Sequence, residues 1–149
     1  MRLTVEPSTD PSAYDFAHDI RVRFAETDAM GVVHHGNYVA YFEEARVAYL
    51  RAIGHPFTEW RAAGLESPVV EAFVSYRRPL EFDEVMTVHL RLAAITRATF
   101  QLAYLVVAPD ETRKAEVRAT GVTVHGCVTT DGRPTRLPTW LTELGKSLA

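Results

Sequence analysis

The hydrophobic period of this chain changes once, and the change limits the folds open to it. Over residues 37–53, Tyr38, Tyr41, Phe42, Ala45, Ala48, Tyr49, Ala52 and Ile53 share one broad face at about 100° per residue. Glu43, Glu44, Arg46 and Arg51 lie mostly opposite, and Val39, Val47 and Leu50 interrupt that polar arc. An apolar arc of this width predicts a helix covered on more than one side. Asn37 is the expected N-cap, and Gly54 followed by Pro56 supplies the stop. From residue 70 the period is two. Val70, Ala72, Val74 and Tyr76 alternate, then Met86, Val88, Leu90 and Leu92, then Phe100, Leu102, Tyr104 and Val106, then Ala115, Val117, Ala119 and Gly121 on through Val124. That is the pattern of strands. Pro79 removes a ladder donor and breaks the first of them.

Ile20, Val22 and Phe24 alternate with Arg21 and Arg23, so a further strand is expected before the helix, ending at Ala25–Asp28. Turns fall at 81–83, 96–97 and 109–112, with another at Asp131-Gly132, and links this short predict antiparallel neighbours. Short helices are expected at 57–63 and 138–145. The sum is an α+β chain in which one long central helix is wrapped by a largely antiparallel sheet of about five strands. Such a sheet leaves edges and a face to cover, which predicts a dimer formed by edge pairing or sheet packing.

The 149 residues suit one domain. Residues 1–17 hold Pro7 and Pro11 in a polar setting and read as a flexible arm, with the domain spanning 18–149. A net charge of −3 argues against nucleic-acid or anionic-membrane binding. No apolar run approaches the roughly 18 residues a membrane span needs, and the N-terminus lacks the apolar stretch of a signal peptide. The single cysteine, Cys127, excludes an internal disulfide framework and fits a reducing cytoplasm.

Chemistry concentrates between the first strand and the helix. Asp28 is the lone acid of a polar loop, Gly31 permits a tight turn after it, and His34 and His35 lead to Gly36-Asn37 at the helix start. The opening of a helix offers unpaired N–H groups and the positive end of a dipole, which suit a carbonyl oxygen gaining negative charge. Adjacent histidines point apart and form no metal pair, and no Cys/His cluster completes a zinc site, so neither metal nor cofactor is expected. The serines lack a nucleophile-elbow context, and the scattered glycines form no phosphate loop. Arg97 lies between two strands, and Arg133 and Arg136 flank Pro134. Arginines at turns suit the phosphates of a nucleotide tail.

The stretch TDAMGVVHHGNYVAYFEEAR resembles the hot-dog thioesterases of the 4-hydroxybenzoyl-CoA thioesterase family, most closely the small bacterial acyl-CoA thioesterases associated with the Tol–Pal cluster. Tyr76-Arg77-Arg78-Pro79, Phe82-Asp83-Glu84-Val85 and Arg136-Leu137-Pro138 extend the likeness over roughly residues 19–140. The resemblance implies a hot-dog fold and hydrolysis of an acyl-CoA. It implies that Asp28 is the catalytic aspartate, as general base or as nucleophile, and that the backbone amide at His35 polarises the thioester carbonyl. It also implies that Gly31, Asn37 and Tyr38 line the site, that Arg97, Arg133 and Arg136 contact the CoA nucleotide, and that homodimers pair into homotetramers. Met30 and His34 stand where that branch often has glycine and tyrosine, which bears on the acyl group rather than on the reaction. Two alternatives stay open: a hot-dog dehydratase using His35 with Glu43 or Glu44, and a non-catalytic module that binds acyl thioesters.

Overall fold

The computed structural model describes residues 1–148. The chain runs β1 (Phe16–Arg21), α1 (Asn37–Ala52), α2 (Phe57–Ala62), β2 (Leu65–Glu66), β3 (Val69–Tyr76), β4 (Val85–Ile95), β5 (Thr99–Pro109), β6 (Ala115–Gly126), β7 (Val128–Thr129) and α3 (Thr139–Gly145). Five strands form one sheet in the order β1-β4-β5-β6-β3, with every neighbouring pair antiparallel. The sheet wraps α1, which is the expected hot-dog arrangement. The helix predicted at 37–53 is α1, and Gly54 takes the positive φ of its stop. β3 ends at Tyr76, short of Pro79, as the missing proline N–H requires.

Contact between α1 and the sheet centres on Phe42, which stacks on Tyr104 with ring centroids 4.2 Å apart. Gly121, paired with Tyr104 in register, makes the approach possible, because a Cβ there would lie 2.3 Å from the Phe42 ring. Met86, Val88, Leu90 and Ala119 complete a fully buried layer around it. A polar chain crosses this core. The Arg46 guanidinium donates to the Tyr104 hydroxyl (3.5 Å), which bonds Thr123 Oγ1 (2.8 Å), which bonds His125 Nε2 (2.7 Å). Burial, aided by Arg46, pushes the His125 imidazole down to about 3, so it stays neutral in the core.

The opposite face of the sheet carries the N-terminal arm. Arg2 and Leu3 N–H donate to the Glu71 carboxylate (2.6 and 3.1 Å), and Thr4 N–H donates to Gln101 Oε1 (3.0 Å). Gln101 returns hydrogen bonds to Arg2 O and Thr4 Oγ1 (3.0 and 2.9 Å). On the same face Ala103, Leu105, Val122 and Val124 are fully buried. Among the described residues no helix is long and apolar enough to cross a membrane.

Two local expectations change. The strand expected over 20–24 begins at Phe16 and stops at Arg21, while Phe24–Glu26 form a 3₁₀ turn that leaves Phe24 exposed. Asn37 is the first helical residue rather than the cap; Gly36 takes the cap position without a side-chain bond. Both changes trace to Glu26, which is buried. Its carboxylate accepts from the Arg23 N–H (2.8 Å), from the Arg23 guanidinium (3.1 and 2.9 Å) and from the Tyr41 hydroxyl (2.9 Å). Its backbone oxygen accepts from His34 N–H (2.9 Å) and from the Asn37 side-chain amide (2.8 Å). Capturing Arg23 curls the chain out of the strand, and capturing Asn37 removes that side chain from capping.

Burial raises the Glu26 pKa, but the donors from Arg23 and Tyr41 outweigh it and leave the carboxyl below its ordinary value. A carboxyl held low in the folded state stabilises above its unfolded pKa, and that contribution fades as pH falls through the folded value. Glu26→Gln is therefore expected to lower stability at pH 7 by about 1–3 kcal/mol. The gap between variant and wild type should close on acidification, as read by urea unfolding at pH 7 and pH 3. Equal stability at pH 7 would contradict this role.

Candidate active site

The loop from Thr27 to Gly36 is built as a small hairpin followed by a helix opening. Asp28 N–H donates to Val32 O (2.9 Å), and Gly31 N–H donates to Asp28 O (3.0 Å). Gly31 takes φ +79°, a region that favours glycine, and so closes the turn. The hairpin rests on the segment after β3, where Val33 N–H donates to Leu80 O (2.8 Å) and Val32 bridges Glu81. Asp28 is half-buried at the tip. Its Oδ1 accepts from Met30 N–H (2.8 Å), and its second carboxylate oxygen has no protein partner among the described residues.

At the helix opening nearly every backbone group is committed. His34 N–H goes to Glu26 O, and His34 O accepts from Asn37 N–H (3.0 Å). Gly36 N–H donates to His34 Nδ1 (3.1 Å), and His35 O accepts from the Tyr76 hydroxyl (3.0 Å). The His35 N–H alone in this turn has no acceptor among the described residues. It sits at the positive end of a 16-residue helix, where an anionic oxygen is favoured.

His35 lines a pocket of about 240 Å³ with Val33, Tyr38, Tyr76, Arg77, Arg78 and Pro79. The His34 and His35 rings, expected to point apart, instead lie 4.2 Å from each other because the chain turns between them at the helix opening, and both residues are exposed. Burial raises the Tyr38 pKa, so its hydroxyl stays protonated in the wall. A larger cavity of about 600 Å³ adjoins through Arg78 and Pro79. Its walls are braced by Arg118, which bonds Glu84, Pro79 O and Pro109 O.

Of the residues singled out from the sequence, His35 and Tyr38 meet in the pocket. Asp28 and Gly31 stand on the adjoining hairpin, outside its lining. Asn37 faces Glu26 O and serves the loop rather than the pocket. Arg97 lies in the β4–β5 turn, and its backbone oxygen accepts from Leu137 N–H (3.4 Å), beside Arg136. The β7 residue Thr129 donates from its N–H to Arg133 O (2.8 Å), which brings Arg133 to this end of the sheet as well. The hairpin lies at the opposite end of β4, eleven residues away, roughly 35 Å at about 3.3 Å per residue. One subunit does not bring these arginines to His35. Glu43 and Glu44, which a dehydratase would recruit, are engaged with Arg46 (3.7 Å) and His18 (2.8 Å) instead.

Arg77 and Arg78 entered the sequence reading only through the family likeness, and Glu26 did not enter as a functional residue. The one local signal for Glu26 is Arg23 three residues before it, the spacing of a 3₁₀ ion pair.

Comparison with known proteins places the fold. Residues 22–144 match the family model of the thioesterase-like superfamily. A relative from Aquifex aeolicus is 37% identical over 131 residues, covering 88% of this chain and 98% of its own. The crystal structure of a Thermus thermophilus protein is 36% identical with a TM-score of 0.80, covering 91% of this chain and 100% of its own. The DHNA-CoA thioesterase of Staphylococcus aureus is 30% identical with a TM-score of 0.77, covering 88% of this chain and 86% of its own. With a family match over most of its length and a hot-dog sheet wrapped on one helix, the chain belongs to the thioesterase-like superfamily.

Proposed function

We propose that the protein hydrolyses acyl-CoA thioesters to a free acid and CoA. The His35 N–H at the helix opening carries this reading, because it is a donor without a protein acceptor among the described residues, at the positive end of α1 and beside a pocket, where a substrate oxygen can replace solvent. The thioester carbonyl accepts from it, and the charge that develops on that oxygen meets the positive end of α1. Loss of one such donor costs on the order of 10²–10³ in rate in other enzymes. Asp28 acts on the carbonyl carbon from the neighbouring hairpin. As a base it takes a proton from water, hydroxide adds to the carbonyl, and CoA leaves as the thiolate. As a nucleophile it displaces the thiolate, forming a mixed anhydride that water then opens. Both routes need the free carboxylate oxygen of Asp28 and the same amide.

The assembly follows from the edge of β3. This strand ends the sheet, and Val69, Val70, Phe73 and Tyr76 are exposed along it. Antiparallel pairing of β3 with its copy buries that edge and sets Tyr76 of one subunit beside the Val69 end of the other. The sheet end holding Arg97, Arg133 and Arg136 then comes toward the other subunit's pocket, where those side chains meet the CoA phosphates. The N-terminal arm occupies the sheet's outer face, so the assembly we propose is a dimer. A lone, buried Cys127 is in keeping with a reducing cytoplasm.

Asp28→Asn should lower kcat by at least about 10²-fold while leaving the fold intact, measured as thiol release from a panel of aliphatic and aromatic acyl-CoA substrates. Wild-type turnover by that variant would refute the assignment. Sedimentation velocity should return a particle of twice the 16.7 kDa chain mass, and a monomer would remove the β3 seam.

A further inference from the structure

We infer that Tyr76 is a positioning residue for this hydrolysis: its hydroxyl holds the His35–Gly36 peptide, the neighbour of the peptide that carries the His35 N–H, and so limits how that N–H can turn. The inference rests on the thioesterase reading above. The hydroxyl donates to His35 O at 3.0 Å, closer than the Tyr38 N–H, which reaches the same oxygen at 3.4 Å. His34 is tied on the other side, through its N–H to Glu26 and its oxygen to Asn37. With both flanking peptides held, the direction of the His35 N–H is set before substrate arrives, which is the preorganisation such a donor requires.

Tyr76 is well placed to act as a fixed point. It is the last residue of β3, paired in register with Ala119. Immediately after it, the Arg77 and Arg78 N–H groups both donate to Arg118 O (2.8 and 3.1 Å). The buried Arg118 side chain is held by Glu84 and by two backbone oxygens. The Tyr76 ring meets the buried Tyr38 edge-on, with centroids 5.0 Å apart and planes at 83°. The backbone is thus held by the sheet and the ring rests against Tyr38, so the hydroxyl ties the helix opening to the end of β3. Tyr76 also lies on the exposed edge that the proposed dimer would bury, so closing the seam would steady the same hydroxyl.

Tyr76→Phe removes the hydroxyl and keeps the ring. It should lower kcat about tenfold or more, leaving KM within about twofold and the dimer mass unchanged. Amide hydrogen exchange in the substrate-free protein should speed up at Gly36 and Tyr38, whose N–H groups are bonded within this turn, and stay unchanged in the middle of α1. Tyr76→Leu, which also removes the ring from the pocket wall, should raise KM in addition. Unchanged kcat in Tyr76→Phe, or a change confined to KM, would overturn the inference. So would unaltered exchange at Gly36 and Tyr38. The exchange readout needs no turnover. If the wild-type protein released no thiol from any acyl-CoA, the functional reading would fall, and the exchange data would still decide whether Tyr76 holds this turn.

Discussion

One backbone oxygen, that of Glu26, receives two donors that reach it from different parts of the chain. The His34 N–H comes from the loop and the Asn37 side chain from the first helical residue. The carboxylate of the same residue holds Arg23 behind it and Tyr41 one turn into the helix. A single residue thus clamps the strand exit, the loop and the helix opening together. Without the clamp, the loop would keep its bonds to Leu80 and Tyr76 but lose those that tie it to the strand exit and to the first turns of the helix, and the hairpin carrying Asp28 would be held less firmly against the His35 amide. Buried acceptors of this kind hold position because leaving their donors unpaired costs more than the bonds gain.

The large-scale fold was legible because it rests on periodicity. One apolar helical stretch and four alternating runs do not fit a bundle or a doubly wound sheet, and α1, β3, β4, β5 and β6 lie where those patterns fall. The first strand ends early because Phe24 continues its alternation in composition only, whereas Val22 keeps to the buried side. Val22 donates its N–H to Glu84 O (2.9 Å) as the chain leaves the sheet, and Phe24 turns outward in the 3₁₀ segment. Period-two reading cannot see a carboxylate that draws the chain aside.

The site was legible in part. A lone acid, a glycine able to take positive φ and a helix start are local features, so Asp28, Gly31 and His35 could be named from the sequence. Tyr76, Arg77 and Arg78 come from a strand end about forty residues later, and sheet topology alone brings them to the loop. Asn37 shows the converse. A residue suited to capping was read as a cap and as part of the site, and a nearby buried oxygen claims it instead. The three turn arginines belong to one end of the sheet and the amide donor to the other, a separation that one subunit does not close and that the proposed pairing through β3 is meant to bridge.

The proposed hydrolysis depends on the His35 N–H being the donor that grips the substrate carbonyl. The direct measurement is a titration of isotope-labelled protein with a non-hydrolysable acyl-CoA analogue that keeps the carbonyl, followed by the amide resonances of residues 33–38. The His35 amide proton should move downfield on saturation and become protected from exchange, more than its neighbours whose bonds are already made. An analogue that saturates the protein and shifts the Arg77 and Arg78 amides while leaving His35 unmoved would contradict the account.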